Sequence, residues 1–369
     1  MWKLTGGAAA MVGVAALCSC AGPAPTPTAN GGSAAADAAS GTAAPVSASP
    51  PSLGIASNEP KDYILKTEPW DFGTAKGKVI TTPAYRIFTT SKSSFIVDRA
   101  PAFAERALEQ YRTALAPLPA PKLALDTYMM ATRVQWQRLA AQLLGDDAGA
   151  YNMIQRGGFT VEGRAILYDI GPRDTLSLIA HEGWHQFTQR TFAEPLPMWL
   201  EEGIATYMEG YRWDPAAPKV PVFYGWSNVE RFDQLRKAIT NNEVIPMEKW
   251  LVSSPQELIG YGSDAALNYY AQAWAMVHFL KEGEGGRYAP GFRALLTDAA
   301  GGKLLARIAE ELGPRAASSF SLRRKGPEPF LVYINQNLVQ AEAEYKRFIQ
   351  RATQTGAKEK IVAGQSPVS

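Results

Sequence analysis

Cysteine is almost absent: Cys18 and Cys20 are the only two among 369 residues, and both lie in the first twenty. The rest of the chain therefore has no disulfide framework, and any metal site there must use His, Asp or Glu. Histidine is nearly as scarce, with only His181, His185 and His278. Charge of one sign is lacking too. The 37 Lys and Arg and 35 Asp and Glu are interspersed, so nothing marks a nucleic-acid surface. What is present is ordinary globular material, 46% hydrophobic and 20% charged, long enough for one large domain or two modest ones. No repeat period is evident.

The amino terminus reads as an address. Met1 to Lys3 are short and positive, and Leu4 to Leu17 are apolar but too few to span a bilayer comfortably. The segment ends Leu17-Cys18-Ser19-Cys20, which resembles a bacterial lipobox. That resemblance implies a lipoprotein signal peptide over residues 1–20 and lipidation at Cys20. Ala21 in the next place implies the outer membrane if the source is Gram-negative. Plain secretion, or acylation at Cys18, fits these residues less well. Residues 21–58 are mainly Ala, Pro, Gly, Ser and Thr with Asp37 as their one charge, which predicts a disordered tether. A disordered tail is expected over 353–369.

Between them the patterning predicts an α+β chain. An α/β subdomain is expected over 59–172, with strands at 85–90, 94–97, 122–128 and 164–170. Helices are expected from near Pro101, capped by Asp98, and over 135–144. Gly157-Gly158 reads as a turn. From 173 the pattern becomes helical: a helix capped by Asp174 or Thr175 and running through Phe187, then 198–211 and 266–281, completing a region ending at 290. C-terminal helices follow over 291–352. There Leu331, Ile334, Leu338, Ala341, Tyr345 and Phe348 step by three and four as one amphipathic helix.

The first of these helices carries His181-Glu182-Gly183-Trp184-His185, an H-E-x-x-H pattern. Four residues turn a helix by about 400°, so both imidazoles leave nearly the same face and can grip one ion. Glu182 points about 100° away, beside the ion, where it can take a proton from a water that zinc acidifies to a pKa of about 7. Gly183 costs about 1 kcal/mol inside a helix and so predicts a neighbour that comes close. The next helix begins Met198-Trp199-Leu200-Glu201-Glu202-Gly203-Ile204-Ala205 and presents Glu202 near its start. Two histidines and a glutamate leave a fourth tetrahedral position open, as catalytic zinc sites do.

Taken together, these motifs resemble the gluzincins, zinc peptidases whose bacterial peptidase-MA-like members carry W-L-x-E-G-x-A after H-E-x-x-H. The specific part spans Leu178 to Glu209. The sixteen residues between His185 and Glu202 are slightly fewer than aminopeptidases have. The resemblance implies Zn2+ held by His181, His185 and Glu202, with Glu182 as general base and acid. Glu201 falls in the variable place. Thr206 and Glu209 share the helix face of Glu202 and are candidates to orient a histidine, with a solvated surface charge the equal reading of Glu209. For the oxyanion donor Tyr270 and Tyr269 are the candidates, although each alone fits core packing better, and His278, flanked by apolar residues, fits a core histidine better than a donor. Strand 165–169 would be an edge that pairs with an extended substrate, or an ordinary central strand.

These readings predict a zinc metallopeptidase in the cell envelope, anchored to a membrane by lipid and acting on a peptide or protein. A lipid-anchored binding or assembly factor with a relic metal site is the alternative. A metal-free helical scaffold is the third reading.

Overall fold

The computed structural model describes residues 14–16, 63–151, 154, 156–259 and 263–369. The signal peptide expected at 1–20, the tether at 21–58 and Cys20 lie outside them, save Val14–Ala16.

The fold is α+β, a mixed sheet followed by helices. The sheet holds β1 (Val14–Ala16), β2 (Lys66–Phe72), β3 (Ala75–Thr81), β4 (Tyr85–Thr89), β5 (Leu125–Met130), β6 (Gly157–Val161) and β7 (Arg164–Tyr168). Their order is β1-β6-β7-β5-β4-β3-β2. β4, β5 and β7 run parallel, and the remaining pairs are antiparallel. Parallel neighbours need crossovers, which α1 (Ser94–Thr113) supplies between β4 and β5. The helices α2 (Arg133–Leu144) and α3 (Ala148–Tyr151) lead from β5 towards β6.

Alternation along β7 shows the two faces. Leu167 joins the large core with residues of α1 and of α4 (Pro172–Thr191). Ile166 and Tyr168 join a smaller cluster with Trp136 of α2 and Phe159 of β6. One layer of helices thus covers each face, and α4 is the helix that the sheet presses towards the site.

Helices dominate the remainder. First come α5 (Met198–Met208), a ribbon of β8 (Tyr211–Trp213) and β9 (Pro221–Phe223), and then α6 (Val229–Thr240), α7 (Met247–Val252), α8 (Pro255–Ile259) and α9 (Ser263–Glu282). They are followed by α10 (Ala289–Gly301), α11 (Leu304–Leu312), α12 (Pro314–Arg323), α13 (Glu328–Tyr333), α14 (Leu338–Ala352) and α15 (Ala357–Val362). α5 lies so close to α9 that a Cβ on Gly203 would stand 2.8 Å from the Ala273 carbonyl oxygen. The start of α5 is held from the C-terminal part: Met198 N donates to Arg324 O at 2.9 Å, and Arg324 Nε donates to Leu196 O at 3.2 Å.

Several expectations are corrected. Residues 94–97 form the first turn of α1, not a strand. Ile96, Val97, Ala100, Phe103, Ala104, Ala107, Leu108 and Tyr111 make one buried stripe, and that periodicity overrides the β-branched run. Asp98 is therefore inside the helix and not its cap. The two glycines at 157–158 open strand β6 rather than a turn; a Cβ on Gly158 would meet Ile166 O at 3.0 Å and Glu182 Cγ at 3.2 Å. α4 begins at Pro172, so Asp174 and Thr175 lie in its first turn, and α5 stops at Met208, three residues before Tyr211. The single helix expected through Leu331 and Phe348 is two, α13 and α14. Residues 353–369 are not a disordered tail. They include α15, whose Ile361 is fully buried, and Val368 packs on the core. The described residues from 63 onward form one compact unit, so the boundaries expected at 172 and 290 mark changes of pattern, not separate bodies.

Candidate metal centre

Helix α4 is buried nearly all round: residues 175–176 and 178–188 are all buried, polar ones included. A helix with no wet face is a core element, so its polar side chains need partners inside the protein. His181 and His185 both lie within 1% of complete burial, with ring centroids 5.0 Å apart. Glu202, near the start of α5, is fully buried facing them.

The nitrogens divide by role. His181 Nδ1 lies 2.8 Å from Glu209 Oε1, and His185 Nδ1 lies 3.0 Å from Glu201 Oε1. Each carboxylate is an acceptor, so each Nδ1 carries the hydrogen and Nε2 is turned inward. Both Nε2 atoms and both Glu202 oxygens are buried with no hydrogen-bond partner among the described residues. Glu202 Oε2 is 3.5 Å from His181 Nε2 and 3.6 Å from His185 Nε2. Tetrahedral bonds of about 2.1 Å set neighbouring ligand atoms about 3.4 Å apart, so this spacing suits one small divalent ion. His181, His185 and Glu202 can hold a metal, their ligand atoms all within 4.8 Å of one another.

Charge makes the same case. Glu182, Glu201, Glu202 and Glu209 are all buried, and Arg231 is the guanidinium buried with them. An ionised carboxylate without compensation costs several kcal/mol in such surroundings. With the imidazoles neutral, as metal ligands must be, these carboxylates outnumber the cations near them, Arg231 and Arg324, and a divalent cation would offset the excess. Burial pushes the Glu202 carboxyl up, but the two imidazoles outweigh it and hold the group down to about 2. Glu209 is likewise held to about 2: burial opposes, and Arg231 and His181 prevail. For Glu182 burial wins, and its carboxyl is lifted above the ordinary value despite the imidazoles and Thr160. Thr160 of β6 places its hydroxyl 2.8 Å from Glu182 Oε2, while Glu182 Oε1 has no partner.

Other candidates fall in different places. Thr206 donates its hydroxyl to the carbonyls of Glu202 and Gly203 within its own helix, not to a histidine. The Tyr270 ring stands 6.3 Å from that of His181, with the Arg231 guanidinium 5.2 Å over it. Tyr269 donates to Ser253 O at 3.4 Å, outside the cluster. His278 stacks on Trp226 at 3.6 Å and faces Glu282, a core histidine of α9. Strand 164–168 is interior, paired on both sides, and the strand flanking Glu182 is β6.

Sequence reasoning passed over Glu201, which orients His185 and also accepts the Thr188 hydroxyl at 2.7 Å. A carboxylate inside the apolar run Met198–Met208 was the available signal. Asn228 and Arg231, both on Glu209, gave none, because they come from α6.

Residues 175–293, from the first turn of α4 into α10, match the model of a protein family described as a protein of unknown function, DUF1570. No curated protein matches the chain. The matched stretch contains every residue of the cluster except Thr160.

Proposed function

We propose that this chain is a zinc-dependent metallohydrolase, a peptidase that cleaves amide bonds. The observation that carries the reading is the convergence of two buried, unpartnered Nε2 atoms and the unpartnered Glu202 carboxylate, with Glu182 next to them. A zinc ion bound there would polarise a substrate carbonyl and lower the pKa of water to about 7.

The chain's own groups do the rest. Two imidazoles and one carboxylate favour zinc over calcium or magnesium, which prefer oxygen. Glu182 is tethered by Thr160 through one oxygen and keeps the other, Oε1, for a proton. Burial raises its basicity, so it can accept a proton from water and pass it to the leaving amine. We assign Tyr270 as the oxyanion donor. Its burial, which outweighs the Arg231 charge, keeps the phenol protonated well above the ordinary range. We further propose that Cys20 carries a lipid anchor and that the enzyme works on peptides at the cell envelope.

The test is metal analysis of the purified chain with Glu202→Ala and Glu182→Gln beside it, then cleavage of a peptide library. The expected result is one zinc per chain, lost in Glu202→Ala. Glu182→Gln should keep zinc and hydrolyse nothing. Full activity in Glu182→Gln would remove Glu182 as base. Zinc-loaded wild type that cleaves no peptide would favour the binding-factor reading.

A further inference from the structure

Arg231 is an arginine only 1% exposed, and its helix, α6, carries no metal ligand. Its Nη2 donates to Glu209 Oε1 at 3.1 Å, the same oxygen that lies 2.8 Å from His181 Nδ1. The second Glu209 oxygen accepts from Asn228 Nδ2 at 2.8 Å. Asn228 also caps α6, accepting from Arg231 N at 3.2 Å, and donates to Thr206 O at 3.1 Å. The other arm of the fork, Nη1, is fixed by Gln234 Oε1 at 3.0 Å, and Gln234 donates in turn to Glu230 at 3.0 Å. Glu209 is thus clamped at both oxygens by donors from one helix.

Resting on the metal reading above, we propose that Arg231 is a positioning residue of the centre, acting through Glu209 to hold the His181 ring with Nε2 on the ion. A metal-bound histidine depends on the acceptor at its other nitrogen for ring orientation. That acceptor is useful only if it cannot rotate away. His185 differs: among the described residues its acceptor, Glu201, is held by the Thr188 hydroxyl and by no guanidinium hydrogen bond. A guanidinium fork suits the task because it is planar and stays charged when buried.

The alternative is that Arg231 merely neutralises Glu209, and the two roles differ in sign. Deleting a positive charge near a dication would leave its affinity unchanged or raise it. Losing the clamp would lower it, by about 10–100-fold for a partner of this kind.

The experiment measures Zn2+ and Co2+ affinity of the full chain by competition with a chelator, together with the Co2+ absorption spectrum. Arg231→Met should weaken both ions about 10–100-fold and shift the Co2+ bands. In a Glu209→Gln background Arg231→Met should add nothing further, since the path through Glu209 is already cut. Unchanged or tighter binding in Arg231→Met would overturn the proposal, as would additive losses. Should Arg231→Met fail to fold alone, Glu209→Gln and the double variant still decide: equal affinities support the relay, and a further loss overturns it. A wild-type chain that binds neither ion would overturn the metal reading as well, which separates the two failures.

Discussion

Tyr111 on α1 donates its hydroxyl to the Ala180 carbonyl on α4 at 2.7 Å, one residue before the first histidine of the cluster. The contact exists because Gly183 has no side chain: a Cβ there would stand 2.5 Å from Tyr111 Oη. The glycine that costs helix propensity admits the neighbouring helix.

Gly183→Ala tests this. Alanine gains about 1 kcal/mol in intrinsic propensity, but a stiff, buried tyrosine must move. We expect a net destabilisation of about 1–3 kcal/mol, read as a lower Tm. Adding Tyr111→Phe should restore most of it, because the nearest remaining Tyr111 atom would be Cζ at 3.4 Å. A stabilised Gly183→Ala would disprove the packing account.

Metal uptake should release protons. Burial pushes the His185 imidazole down, but Glu202 and Glu201 outweigh it and hold the ring well above its ordinary 6.5. His181 is raised too, burial again opposing Glu202 and Glu209. Protons therefore compete for these rings at a higher pH than for an ordinary imidazole, and the ion binds only the neutral form. Zn2+ affinity should therefore fall as pH drops, with the loss beginning above the ordinary 6.5 of an imidazole. Calorimetry at pH 7 in buffers of different ionisation enthalpy should give different apparent enthalpies. Identical values would mean that no proton leaves.

Acid should loosen the C-terminal helices through Glu344. Burial raises its carboxyl, but hydrogen bonds from Arg287, Tyr288 and Gln340 prevail and hold it to about 2, against an ordinary 4.5. A depressed carboxylate contributes stability in full above 4.5 and loses it as pH falls towards 2. Glu344→Gln should melt below wild type at pH 7, and the gap should close across that interval. A gap independent of pH would show that the charge of Glu344 contributes nothing.

Local chemistry made part of this protein legible in its sequence. Four residues of helix bring His181 and His185 to one face, and the same rule turns Glu182 aside. Burial of the next helix can be read from the apolar run around Glu202. The α+β alternation is similarly a matter of short-range period. Where local signals conflict, the longer pattern prevails. The β-branched residues at 94–97 belong to a helix because a long stripe continues beyond them. Gly158 lies in a strand, and it is glycine there because Ile166 and Glu182 press against its backbone.

Only the tertiary structure decided who meets whom among the buried polar groups. Thr206 shares the helix face of Glu202 yet bonds its own backbone, whereas Glu209, one turn on, reaches His181. Glu201 orients His185, and α6 delivers Arg231 to Glu209 across more than twenty residues of chain. Helical spacing sets the direction in which a side chain leaves its own element. The partner waiting there depends on which surfaces pack together, and that is settled by the burial of whole faces, far apart in the sequence.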